Sequence, residues 1–188
     1  MKKQRKNLGI VLVSLLGLLS CKKENNPGNS QLAKLPAITQ TGANTFGCLV
    51  NGNVLVSNKL YCTYVQTTQL PANNYFDFTL VATDSTSTGK QTISIYTPGI
   101  LMLKDNTSLE IGAPANALDR WYADYNNDQV GVDYQTGPGS PDLISFTKVD
   151  TVNKILSGTF SFTALNSVNS NESTQVTEGR FDVHYTSN

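Results

Sequence analysis

The chain has 188 residues, with 14 basic and 14 acidic side chains, one histidine and three cysteines. Its basic residues form no cluster beyond the first positions, which argues against nucleic acid as a partner. A single histidine leaves too few soft ligands for a zinc site and no choice of base for a hydrolase.

Residues 1–21 read MKKQRKNLGIVLVSLLGLLSC. Lys2, Lys3, Arg5 and Lys6 form a basic n-region, followed by an apolar run of twelve residues from Leu8 to Leu19. A helix needs about 20 residues to cross a hydrocarbon core, so this run is too short to span one. It suits the h-region of a signal peptide. Leu18-Leu19-Ser20-Cys21 resembles the lipobox of bacterial lipoproteins, with an aliphatic residue three places before the cysteine and a small one directly before it. Leu19 stands where that pattern more often has a smaller residue. The resemblance implies cleavage before Cys21, diacylation of its thiol and acylation of the new amino group. Several chains on one residue hold far more firmly than one chain alone. The expected address is the cell envelope, with the lipid anchor in the outer membrane.

Cleavage removes four of the 14 basic residues, so the mature chain carries ten against 14 acidic ones, a net charge of −4. Residues 1–20 are thus expected as signal peptide, 21–44 as a flexible tether rich in Asn, Gln, Pro and Gly, and 45–188 as a single domain. Abundant Thr, Tyr, Phe, Val and Ile, without Ala/Glu/Lys/Leu runs, favour strands over helices.

From Thr45 the apolar residues alternate. Phe46, Cys48 and Val50 share one face, Asn51-Gly52 is a hairpin turn, and Val54–Val56 returns. Leu60–Val65 reads as a third strand, and Tyr75–Ala82 as a fourth with Phe76, Phe78, Leu80 and Ala82 inward. A polar turn over Asp84–Gly89 leads to Thr92–Thr97, and Pro98-Gly99 breaks the pattern. Ile100–Leu103 fits either a strand or a turn of helix. Trp121–Tyr125 and Val130–Tyr134 suggest a hairpin around Asn126-Asn127-Asp128. Leu143–Val149, Ile155–Leu165 and Val176–Tyr185 are the last three strands. In the final one Phe181, Val183 and Tyr185 share the dry face, and Arg180, Asp182 and His184 the wet one. The expected fold is an all-β antiparallel sandwich, with an up-and-down barrel as the alternative.

Four segments carry a family resemblance: LPAITQTGANTFGCLVNG (35–52), ISFTKVDT (144–151), SGTFSFTALNS (157–167) and TEGRFDVHY (177–185). They resemble a group of lipoproteins of unknown function common in Bacteroidetes. That resemblance implies an envelope lipoprotein and assigns no catalytic or ligand residue.

Candidate site residues follow from chemistry. Cys48 and Cys62 would sit on neighbouring strands of a meander, where an oxidising compartment permits a disulfide; two small buried hydrophobes are the other reading. Asp124, Asn126 and Asp128 place oxygen ligands at alternate positions, as a calcium loop does. Gln129 and Gln135 occupy the positions where an EF-hand needs Gly and a bidentate carboxylate, so a polar turn is favoured. Trp121, Tyr122, Tyr125 and Tyr134 form the densest aromatic segment, suited either to stacking on a glycan or protein partner or to the core. Ser85 and Thr151 lie in Asp-Ser/Thr-x triplets in expected turns and resemble acceptors of Bacteroidetes O-glycosylation. No Gly-x-Ser-x-Gly elbow occurs, and no carboxylate pair stands out from Asp119, Asp124 and Asp133, so no enzyme activity and no cofactor are expected. The expected function is a membrane-tethered binding or structural accessory module; a barrel carrying a small apolar ligand is the runner-up, and an envelope hydrolase a third reading.

Overall fold

The computed structural model describes residues 27–67, 75–86, 89–112, 121–137 and 142–187. The expected signal peptide, residues 1–20, and Cys21 lie outside them. One short helix, α1 (Pro27–Leu32), precedes eleven strands: β1 (Thr45–Val50), β2 (Asn53–Val56), β3 (Lys59–Gln66), β4 (Tyr75–Thr86), β5 (Gly89–Leu101), β6 (Thr107–Ile111), β7 (Tyr122–Asn127), β8 (Val132–Thr136), β9 (Asp142–Asp150), β10 (Ile155–Asn166) and β11 (Ser173–His184). All the strand pairings are antiparallel, as the sequence leads one to expect.

The strands form one sheet in the order β2-β1-β11-β10-β8-β7-β5-β4-β3, curled into a half-barrel. It branches at β10, which pairs with β11 on one side and with β9 and then β8 on the other. β6 adds to the outside of β9. β2 and β3 are consecutive in the chain yet lie at opposite ends of the sheet order, joined only by Ser57 and Asn58. So short a link spans about 10 Å, so the two edges must approach one another there. The Ser57 amide donates to the Phe46 carbonyl of β1, and the Asn58 amide to the Thr83 carbonyl of β4. A second stitch follows β11: Tyr64 N–H donates to Thr186 O, and Thr186 N–H to Cys62 O.

The curl brings opposite walls together. Phe78 of β4 meets Phe146 of β9 edge-on at 5.1 Å and Phe181 of β11 at 6.4 Å. Phe46 stacks on Phe160 at 5.2 Å, and Phe160 lies 6.5 Å from Phe181. Phe76 stacks on Tyr64 at 4.7 Å. Burying each such ring contributes about 1.5–3 kcal/mol, and favourable ring geometry adds about 0.5–1.5 kcal/mol per pair.

Several boundaries depart from the sequence reading. β4 runs on to Thr86 and β5 begins at Gly89, so Ser85 pairs with Lys90 in the sheet rather than lying in a turn. Pro98-Gly99 does not end β5. It accompanies a bulge opposite Asp77, whose Oδ1 accepts the Gly99 N–H at 2.8 Å, and the strand continues to Leu101. β6 had no clear periodicity in the sequence. The β7–β8 turn falls at Asp128–Gly131, because Asn126 and Asn127 pair with Asp133 and Val132.

The expected tether is also corrected in part. Leu35 is buried, and a Cβ on Gly47 would stand 2.6 Å from Pro36 Cδ. Residues 35–44 are therefore a strap lying on the outer face of β1 and β11, not a free spacer.

Candidate functional site

The strap is held by one carboxylate. Asp182 of β11 is 1 % exposed. Its oxygens accept hydrogen bonds from Thr39 Oγ1 (2.6 Å), Thr41 N (3.0 Å), Gly42 N (2.8 Å), Ala43 N (3.1 Å) and Ser157 Oγ (2.7 Å). Burial alone would raise its pKa. The bonds from Thr39, Ser157, Thr41 and Ala43 outweigh that and hold the carboxyl well below the usual range. Asp182 was expected on a wet face; the strap covers it. Its neighbours on that face differ: His184 is exposed, and its ring lies against Gly42, where an added Cβ would come within 2.3 Å of Cε1.

Between the strap and the sheet lies a surface groove of about 410 Å³. Its floor is built by strand register. Arg180, Thr159 and Ser145 face one another across β11, β10 and β9. Ser161 and Leu143 are the adjacent pair, with Thr177 beside them. Ile38 of the strap forms the wall. Ile38 and Leu143 are 60 % and 43 % exposed and give the groove an aliphatic side. A bulge in β11 lies at the groove's charged end. Phe160 pairs with Gly179 and Phe162 with Val176, so Thr177 and Glu178 together stand opposite Ser161. Glu178 takes φ 55°, a left-handed conformation costly for a non-glycine residue. Arg180 Nη2 lies 3.5 Å from Glu178 Oε2, its Nε donates to Glu178 O, and its Nη1 donates to Pro36 O at 3.4 Å. The groove residues alternate with core residues along their strands, so the sequence marks them only as outward-facing hydroxyls.

The aromatic segment does not form one platform. Tyr125 is buried, its hydroxyl donating to Gln91 Oε1, with Tyr134 5.9 Å away. Trp121 and Tyr134 pack against the core, and Trp121 Nε1 donates to Pro98 O. Tyr122 alone faces outward, 5.5 Å from Tyr96. Burial pushes its hydroxyl pKa up, and the neighbouring Asp124 adds to the shift.

The oxygen-rich stretch is strand rather than loop. Asp124 and Asn126 lie in β7, and Asp128 in the turn beyond. Asn126 Nδ2 donates to Asp133 Oδ1 across the hairpin. Partial burial raises the pKa of Asp124, a hydrogen bond with Gln135 opposes this, and Asp133 raises it further. Among the described residues no group of three His, Cys, Asp or Glu side chains is placed to hold a metal ion.

Cys48 and Cys62 are both free, which corrects the disulfide reading. β1 pairs with β2 and β11, and β3 with β4, so the two cysteines are not on neighbouring strands. Burial pushes both thiols up to about 12. Cys62 and His184 line a second cleft of about 470 Å³ at the seam between the sheet edges, with Asn44, Asn58 and Leu60. Burial thus disfavours the thiolate, the form in which a cysteine acts as a nucleophile. Of the glycosylation candidates, Thr151 lies in an exposed turn, whereas Ser85 is half-buried with its amide and carbonyl both bonded to the Asn58 side chain. No described helix is long and apolar enough to cross a membrane. Comparison with protein families, curated proteins and solved structures finds no match.

Proposed function

We propose that the chain is a lipid-anchored module of the cell envelope, held in the outer membrane through Cys21, that binds a glycan or protein partner on its outer sheet surface and carries out no covalent chemistry. One observation supports surface binding above the alternatives: rings 5.1–6.5 Å apart occupy the space between the sheet walls, while a groove opens on the outer face. The apolar-carrier reading needs a hollow where those rings stand. The hydrolase reading needs an activated nucleophile or converging carboxylates; Asp182 is consumed by the strap, and burial disfavours the thiolate of Cys62. The anchoring part rests on the lipobox resemblance; with Pro27–Leu32 helical, the chain from Cys21 to the docked Leu35 reaches at most about 40 Å, which would keep the strap side of an anchored domain near the bilayer.

Expression of the full chain with labelled palmitate tests this reading. The wild type should incorporate label and pellet with membranes; Cys21→Ala should lose the label and move to the soluble fraction. A Cys21→Ala protein that still pelleted, or a wild type without label, would refute lipid anchoring. Turnover of any ester, peptide or glycoside substrate by the purified protein would refute the non-catalytic part.

A further inference from the structure

We propose that the groove between the strap and β9–β11 binds a neutral saccharide, with Arg180 and Glu178 gripping adjacent hydroxyls of a sugar ring. The inference rests on the reading of the protein as a binding module and names its ligand class. Three properties of the groove select that class.

The first is charge. The ionic side chains lining the groove are Arg180 and Glu178, which cancel. A free anion would be attracted to the guanidinium but would meet a carboxylate that is 54 % exposed beside it. A cation would meet the reverse. A ligand without net charge meets neither penalty.

The second is hydrogen-bonding capacity. A guanidinium carries five N–H donors. Among the described residues, Nε–H and one N–H on each terminal nitrogen are engaged, by Glu178 and Pro36, which leaves one donor on Nη1 and one on Nη2. Glu178 Oε1 accepts no bond from a described residue. A donor fork beside a free acceptor suits neighbouring hydroxyls, each of which both donates and accepts. Thr159, Ser161 and Thr177 extend the same chemistry along the floor. An apolar ligand would strip these hydroxyls of water and replace none of their bonds.

The third is shape. Ile38 and Leu143 supply an aliphatic flank, which suits the C–H face of a sugar ring, and about 410 Å³ falls in the range of small-ligand sites, about 300–1,000 Å³. Glu178 and Arg180, two apart on β11, share the outer face by alternation, and the bulge, where Glu178 takes its left-handed conformation, brings Thr177 to that face beside them.

Titration calorimetry of the detergent-solubilised full chain tests the proposal. The probes are neutral gluco-, manno- and xylo-oligosaccharides, with oligogalacturonate as the anionic comparison. Saturable binding of at least one neutral probe is expected. Ser161→Trp, which fills the floor from an exposed strand position, and Glu178→Gln, which keeps the side chain's shape, should each weaken binding about tenfold or more, while Tyr122→Ala, outside the groove, should not. Binding by no neutral probe, stronger binding of oligogalacturonate, or unchanged affinity in both groove variants would overturn the proposal. Membrane fractionation of the same preparations separates the two readings. A palmitoylated, membrane-bound protein that ignores every sugar defeats the groove alone; an unlabelled, soluble wild type defeats lipid anchoring whatever the calorimeter shows.

Discussion

At the residue scale, Asp182 has the largest single task. Its carboxylate satisfies three backbone amides of the strap and three hydroxyls, so it replaces what would otherwise be several unpaired donors at a buried surface. Because the folded carboxyl titrates below its unfolded value of about 3.9, its stabilisation is complete above that pH and is lost as pH falls through the folded value. Asp182→Asn should cost about 2–4 kcal/mol at pH 7. The gap between wild type and variant, measured by urea unfolding, should narrow steadily from pH 5 toward pH 2. An equal gap at pH 7 and pH 2.5 would show that the charge contributes nothing. Alternation in the sequence put Asp182 beside Arg180 and His184 on one face of β11, and that face is right. Its dryness is a property of residues 140 positions earlier, which no local pattern reports.

At the scale of elements, the β10–β11 pair shows how a small residue makes room for a large one. Gly158 pairs with Phe181, and Phe160 with Gly179. A Cβ on Gly158 would stand 2.2 Å from the Ser145 carbonyl and 2.7 Å from Phe181 Cζ; one on Gly179 would stand 2.5 Å from Phe160. Each ring thus lies over the glycine opposite it. Gly158→Ala must displace the β9 backbone or a core ring, at about 1–3 kcal/mol, and should lower the melting temperature by about 4–10 °C. Gly137→Ala, whose added carbon would stand an ordinary 3.4 Å from Leu165 Cδ1, serves as the comparison and should change the melt little. Equal melts for the two variants would contradict the packing account. Period-two alternation locates β10 nearly to the residue, whereas β11 begins at Ser173, three residues before the alternation becomes legible at Val176. The bulges are not legible, because an inserted residue shifts the alternation without leaving a composition signal.

At the scale of the whole molecule, both stitches and the ring cluster depend on the sheet being curled, so opening it is a cooperative event. Cys48 is fully buried against that cluster and Cys62 is nearly so. With both thiols pushed up to about 12 and no bond between them, the folded protein should resist thiol reagents at pH 8, and reductant should leave its melt unchanged. Labelling should accelerate in step with the globally unfolded fraction as urea is added. Rapid labelling in native buffer, or a melt that shifts with reductant, would contradict this. What the sequence by itself determined is whatever depends on near neighbours: β structure from alternation, and the Asn51-Gly52 turn from two residues that tolerate positive φ. Only the tertiary structure decided which strands are neighbours. It placed β2 and β3 at opposite sheet edges, separated Cys48 from Cys62, divided the aromatic segment between core and surface, and laid the strap against β11 to form the groove. The physical reason is range. Backbone propensity and side-chain alternation act over a few residues, whereas strand partners are chosen by how the whole set of apolar faces can be buried at once.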